Sequence, residues 1–312
     1  MNITIKYLKY FAVAAKTGNF AKASEELHVS NSSVVSAINK LEEEFGFLLF
    51  IRQPSRGLVL TPDGREALKH AKYVLEEVEE FGNRISGIPA TLNGTLNVAC
   101  FTTFSTYFMP YILSKLHDLY PDLKINVYEE GVQGVEKLLM SGEIDAFLTY
   151  RSPGLPLQIT YETLRTVRPH AIISCDHPLA KKDVLELEDL ADYPMILFNL
   201  PSSRAYAMGL FAVKNLYPDV ILKSQSVEGV REYVGEGLGF SIMHLEPPSK
   251  VTLNGKKIAC KPIAGKEIQG IDIIAGAHKS PNGKQAKKVE AFISECQHLF
   301  SSEQVERFFV KT

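Results

Sequence analysis

Cysteine is scarce in this 312-residue chain: four residues, Cys100, Cys175, Cys260 and Cys296, with no C-x-x-C and no His/Cys cluster. That spacing argues against a zinc site or a dithiol pair and leaves reduced, mostly buried thiols. Long apolar runs are missing too. None approaches the roughly 20 residues needed to span a bilayer. An export signal would sit in MNITIKYLKYFAVAAKTGNF, but Lys6, Lys9 and Lys16 interrupt its apolar residues and no cleavage site follows. The stretch reads as an amphipathic helix, and a cytoplasmic protein is expected. There is no charge excess: 34 Lys and Arg face 36 Asp and Glu, a net charge of −2. Charge alone therefore does not mark a nucleic-acid binder. Catalytic signatures are equally absent. No G-x-S-x-G occurs, and the eight histidines, His170 and His177 among them, show no metal-ligand spacing. GEGLG at 235–239 follows a helical pattern and precedes a strand, the reverse of a dinucleotide loop, so it reads as a helix stop and turn. No enzyme activity and no cofactor are expected.

What is present is pattern. The length exceeds one ordinary core, so two or three domains are expected. Leu8, Phe11, Ala12 and Ala15 recur at helical spacing. Gly18 and Asn19 end that helix and cap a second through FAKASEELH, with Ala23 and Leu27 inward. After the turn HVS, Ser30 is a good N-cap for a third helix. On that helix, at about 100° per residue, Val34, Ile38, Leu41 and Phe45 form one apolar stripe. The opposite face carries Ser32, Ser36, Asn39 and Glu43, flanked by Ser33 and Lys40. Ser and Asn are poor interior helix residues because their side chains compete for backbone groups. A face that gathers them is an outward surface. Two short helices, a tight turn and such a face make a helix-turn-helix at about residues 21–40, whose second helix enters the major groove. The candidate DNA contacts are Ser30, Asn31, Ser32, Ser33, Val35, Ser36, Asn39 and Lys40, with Asn suited to adenine edges and Val35 to a thymine methyl. LLFIRQPSRGLVLT, residues 48–61, reads as two strands around a turn, a wing that places Arg52 and Arg56 at flanking phosphates. A solvated helix and a plain surface hairpin stay open as alternatives to each reading.

The run from YFAVAAKTGNF through LTPDG resembles the winged helix-turn-helix of LysR-type transcriptional regulators. The resemblance rests on Phe11, TGNF, LHVS, the I..LE...G spacing from Ile38 to Gly46, LF.R at Leu49–Arg52, and LTPDG. It departs at Ser24, Asn31, Val35 and Ser36, which leaves the recognition helix poor in Arg.

From Pro62, the positions Ala67, Ala71, Val74, Val78, Phe81 and Ile85 alternate by four and three, the heptad spacing of a coiled-coil seam. An amphipathic helix packed on its own domain is the other reading. LysR-type regulators dimerise through such a linker, so the resemblance implies a dimer, with a tetramer as a dimer of dimers. Past the joint SGIPATLNGT, strands and helices alternate in two blocks, which implies parallel sheets in two α/β lobes with a pocket between them. Residues 270–300 return to the first lobe. LNVACFTTFSTYFMP, SGEIDAFLTY and VREYVGEGLGFSIM resemble the periplasmic-binding-protein-like effector domain of the same family. That resemblance implies that Thr102 and Thr103 cap the helix after the first strand and meet the effector, where hydroxyls and first-turn amides favour an anion. Phe101 stands where a small polar residue is common. NLPSSR places Asn199, Ser202, Ser203 and Arg204 across the cleft, and Ser226 starts a helix facing the same region. Each of these also has a plain capping or surface role open to it. Cys100 borders this pocket without a resolving partner.

The expected fold is a winged helix-turn-helix N-terminal domain (4–61), a linker and dimerisation helix (62–88), and a two-lobed α/β, type 2 periplasmic-binding-protein-like domain (92–312). Lobe I would hold residues 92–165 and 270–300, and lobe II residues 166–269. The expected function is a sequence-specific DNA-binding regulator controlled by a small anionic effector, its DNA site approximately two-fold symmetric. A solute-binding protein with a helical extension is the alternative. An α/β enzyme would need a nucleophile–base set that the sequence does not offer.

Overall fold

The computed structural model describes residues 3–53, 57–85, 92–266, 268–279 and 283–310. Arg56 and the joint at 86–91 lie outside the described residues, as does the side chain of Ile85. The chain divides into two compact units, Met1–Leu92 with Pro281–Lys288, and Asn93–Ser280 with Val289–Thr312.

In the first unit, α1 (Ile5–Thr17) starts where the Thr4 hydroxyl accepts from the Tyr7 amide. Asn19 Oδ1 accepts from the Ala21 and Lys22 amides to open α2 (Phe20–Glu26). Ser30 Oγ accepts from the Ser33 amide to open α3 (Asn31–Phe45), which ends at Gly46. The stripe that the spacing predicts is the one buried: Val34, Ile38 and Leu41, with Ala37 added and Phe45 half-buried. They close on Phe11, Ala14 and Ala23 from the other two helices. The wing is β1 (Phe50–Gln53) paired antiparallel with β2 (Gly57–Leu60). Backbone contacts fix it. Gly57, at φ +73°, lies where a Cβ would stand 2.5 Å from the Gly18 carbonyl oxygen. The neighbouring Leu58 amide donates to that same oxygen at 2.8 Å. Glu42 Oε1 accepts from the Leu49 and Phe50 amides at 2.8 and 3.3 Å, tying α3 to the start of the wing.

Next comes α4 (Pro62–Ile85), capped by Thr61, whose hydroxyl accepts from the Gly64 amide at 2.8 Å. Its heptad positions split. Ala71 is buried in the domain's own core and Ala67 packs against it, so these two are not free to form a seam. Val74 and Val78 are exposed, and Phe81 is 66% exposed. The alternation is real, but its first two turns serve the domain's own packing.

In the second unit, lobe I comprises β3 (Gly94–Phe101), α5 (Thr102–Tyr107), α6 (Met109–Leu119), β4 (Leu123–Glu130), α7 (Val132–Met140), β5 (Ala146–Tyr150) and β6 (Ile159–Val167). Lobe II follows with β7 (His170–Ser174), a 3-10 turn at Pro178–Lys181, α8 (Leu187–Ala191), β8 (Met195–Phe198), α9 (Pro201–Ala212), β9 (Val220–Ser224), α10 (Val227–Gly235), β10 (Ser241–Met243) and β11 (Ile258–Pro262). The chain then returns through β12 (Ile271–His278) and α11 (Gly283–Phe300). As expected, β12 joins the first sheet, whose order is β4-β3-β5-β12-β6.

The expectation of parallel sheets is met only in part. β3 runs parallel to β4 and β5, and β8 parallel to β9. β12 is antiparallel to β5 and β6, and β7 is antiparallel to β10 and β11. The sequence pattern does not mark β6, β9 and β11 as strands. β6 is buried only at its two ends, β9 alternates half-buried and exposed positions, and β11 is only half-buried over most of its length. Between β3 and β4 the helical stretch is two helices, parted at the buried Phe108 ahead of Pro110, whose ring cannot continue the hydrogen-bond ladder. No described helix is long and apolar enough to cross a membrane.

Gly64 supplies a test of this packing. A Cβ there would collide with the Leu49 carbonyl group, which is backbone and cannot rotate away. Gly64→Ala should destabilise the N-terminal domain by about 2 kcal/mol or more, read as a lower urea midpoint.

Candidate functional site

On α3, Asn31, Ser32, Ser33, Ser36, Asn39 and Lys40 are all exposed or nearly so in the polar face, and Val35 is half-buried. The hydroxyls of the first turn form a local cluster, Ser30 Oγ lying 3.0 Å from Ser32 Oγ and 2.7 Å from Ser33 Oγ. Lys40 Nζ donates to the Tyr7 hydroxyl at 3.2 Å and sits over that ring. Arg52 reaches back to the recognition helix. Its Nη2 donates to Asn39 Oδ1 at 3.0 Å, and its guanidinium stacks 5.3 Å from the Phe20 ring centroid. The wing arginine is thus held beside the polar face, and one lone pair of the Asn39 amide oxygen is already taken.

The second site is a small pocket between the lobes. Lobe I contributes Phe101, Thr103, Tyr107 and Tyr150; lobe II contributes Phe198, Ser203, Tyr206, Ser241 and His244. Its cavity volume is about 40 Å³. Of the effector-binding residues expected from the sequence, only Thr103 and Ser203 reach this lining. Thr102 is beside it, its hydroxyl buried and, among the described residues, without a hydrogen-bond partner. Neither threonine caps α5: the N-cap position is Phe101, which offers no side-chain bond. Arg204 is exposed and donates to Asn199 Oδ1 at 3.4 Å, outside the lining. Ser202 is half-buried and also outside it. Ser226 caps α10 by accepting from the Gly229 amide, the plain structural role.

Sequence reasoning missed Tyr107, Tyr150, Phe198, Tyr206, Ser241 and His244. The available signal was GFSIMH, an apolar strand flanked by a serine and a histidine. Thr103 Oγ1, Ser241 Oγ and His244 Nε2 are buried and have no hydrogen-bond partner among the described residues. Such groups cost free energy unless something satisfies them. The described lining holds no Lys, Arg, Asp or Glu. Burial pushes the His244 imidazole down to about 4, so it is neutral here. Burial, then Tyr107 and Tyr206, pushes the Tyr150 hydroxyl up and keeps it protonated. Cys100 is pushed up to about 12 by burial and then by Glu129, which leaves a protonated, poorly nucleophilic thiol. No described cluster of His, Cys, Asp or Glu could hold a metal ion.

Residues 5–65 match the family model for bacterial regulatory helix-turn-helix proteins of the lysR family, and residues 89–301 match the LysR substrate binding domain. The chain belongs to the LysR family. It is 33% identical over 196 residues to the uncharacterized HTH-type transcriptional regulator YvbU of Bacillus subtilis, 62% of this chain and 66% of that one. It is 26% identical over 244 residues to the HTH-type transcriptional regulator cbl of Escherichia coli, 77% of each chain. The crystal structure of HinK, a LysR family transcriptional regulator from Pseudomonas aeruginosa, superposes with a TM-score of 0.62 at 30% identity, covering 96% of this chain and 99% of that one. The protein is a LysR-type transcriptional regulator with an effector-binding domain. LysR regulators bind DNA and small effectors and are oligomeric, and these relatives are regulators rather than enzymes. The helix-turn-helix match disfavours the solute-binding alternative.

Two buried histidines give this regulator a pH signature. His170, on the crossing into lobe II, is pushed down to about 3 by burial, then by His244 and Lys250. The unfolded chain protonates both imidazoles as pH falls below about 6.5, while the folded protein resists until about 3 to 4. The histidine contribution should therefore be flat above about pH 7. Below about 6.5 it should fall by up to about 1.4 kcal/mol per pH unit for each histidine. Urea midpoints at pH 7.5 and 5 check this, and His170→Leu should flatten the slope.

Proposed function

We propose that the exposed face of α3 reads the major groove of an approximately two-fold symmetric DNA site. Residues 4–61 form the reading head, 62–88 the dimerisation helix, and 92–312 the effector domain, in a cytoplasmic protein that assembles as a dimer of dimers. What carries the reading is the division of α3: one face closed by Val34, Ala37, Ile38 and Leu41, the other bare and made of short hydrogen-bonding side chains. A helix so divided is fixed by its core and offers its free side to a partner whose backbone approaches closely. Ser36, Asn39 and Val35 are the base readers, and Lys40 and Arg52 face phosphates. The effector is a small anion in the inter-lobe pocket, a reading supported by the hydroxyls of Thr103, Ser203 and Ser241 and by a described lining free of carboxylates. Its binding shifts the lobe equilibrium by no more than its differential affinity for the two states.

Gel-shift binding to DNA upstream of the protein's own gene tests the first part. Affinity should drop steeply with salt, and Arg52→Ala should lower the salt slope by about one while Ser36→Val re-ranks the preferred sequences. If both variants merely weaken every sequence alike, the face assignment is wrong. The apolar side chains Val74, Val78 and Phe81 left bare on α4 support self-association through that helix. Phe81→Glu should shift the sedimentation profile toward smaller species, and an unchanged profile counts against the seam.

A further inference from the structure

We infer that Phe101 is a size limit built into the inter-lobe pocket, restricting it to a short-chain carboxylate of about four to six non-hydrogen atoms. This rests on the reading of that pocket as the effector site. Phe101 is the last residue of β3, nearly fully buried, and its ring stands between the lobes. It meets Tyr150 edge-on at 4.9 Å and Phe104 at 5.6 Å on its own side, and Phe198 at 6.4 Å on the other. The ring fills space that a small residue would leave open. What remains, about 40 Å³, accommodates about three water molecules at 10–15 Å³ each.

The polar atoms facing that space set the ligand class. Ser241 is fully buried with its Oγ unpartnered among the described residues, as are Thr103 Oγ1 and His244 Nε2. Two hydroxyls with no obligation to the protein can both donate, and a carboxylate takes two donors at once, in bonds stronger than those of a neutral acceptor. The lining side chains supply no opposite charge, so an anion there relies on hydroxyl donors alone and a single delocalised charge costs far less to bury than several. A cation would need open ring faces. Here the rings meet one another edge to face, Tyr150 with Phe101 and with Phe104, and His244 lies tilted against both Tyr150 and Tyr206.

Calorimetric titration of the full chain with acetate, propionate and benzoate, against a chloride control, tests this. The wild type should bind propionate at least about tenfold tighter than benzoate. Phe101→Ala should reverse the order, and Phe101→Leu, a milder change that guards against loss of folding, should move it the same way. Ser241→Ala and Thr103→Val should each weaken propionate. Wild-type protein that binds benzoate as well as propionate overturns the size limit and leaves the pocket reading standing. Binding of neither acetate nor propionate overturns the carboxylate class. Propionate affinity unchanged in both Ser241→Ala and Thr103→Val places the ligand elsewhere and overturns the pocket reading with it.

Discussion

A helix can leave serine and asparagine facing solvent only if something else holds it in place, and for α3 that is the burial of one narrow stripe. Val34, Ile38 and Leu41 are fully excluded from water against Phe11, Ala14 and Ala23. Each such side chain contributes on the order of 1.5–3 kcal/mol by leaving water, far more than the weak propensity of the polar face costs. The rotation of the helix about its axis is thereby fixed. The wing is then set by the Leu58 amide on the Gly18 carbonyl, by the Glu42 carboxylate on the Leu49 and Phe50 amides, and by Phe50 packed against Phe11 and Phe20 in the same core. Reading helix and wing behave as one body, and Arg52 bonded to Asn39 closes the remaining gap.

The effector domain solves a different problem. Its largest apolar cluster runs from Phe101, Tyr150 and Ile273 in lobe I to Ile172, Phe198 and Met243 in lobe II. A continuous close-packed core does not deform gradually. It repacks between discrete arrangements. Thr103, Ser241 and His244 line the pocket set against this cluster, with polar atoms that find no hydrogen-bond partner among the described residues. A ligand that satisfies them in one arrangement and not in the other acquires the differential affinity that control requires.

The N-terminal half was legible because its determinants are local. Caps, the 3.6-residue stripe and the glycines of TGNF and LTPDG lie within a few residues of the structure they specify, and Asn19, Ser30 and Thr61 occupy those capping positions. The pocket was legible only in part, because its lining converges from β3, β5, β8, α9 and β10 through the crossing of the chain between lobes. Thr103 and Ser203 could be found by position after a strand or at a helix start; Tyr150 and His244 could not. Arg204 is expected across the cleft, and it stands outside this lining. Its chemistry suits an anion clamp, while the helix turns that side chain outward to Asn199. The same crossing explains the strand directions. Returning strands such as β12 enter the first sheet from the far end, and local alternation of helix and strand cannot report that.

Charge follows the same division. Beside the polar face of α3, Arg52 and Lys40 are exposed, each lying over a ring and bonded to a neutral oxygen of the protein, so neither charge is neutralised by a carboxylate in these contacts. In the effector domain the buried guanidinium of Arg231 is paired internally: its Nη1 donates to both oxygens of Glu228 and its Nη2 to the Ser249 carbonyl, while its Nε has no partner among the described residues. With that cation neutralised by its own carboxylate and the pocket lined by neutral groups, long-range attraction contributes little to effector choice. Discrimination there must come from shape and from hydroxyl geometry, both of which act only at contact. A pocket of this kind would discriminate by fit and be nearly insensitive to salt, whereas a face that binds DNA would lose affinity as salt rises. The two halves of the regulator thus answer to separate solution variables.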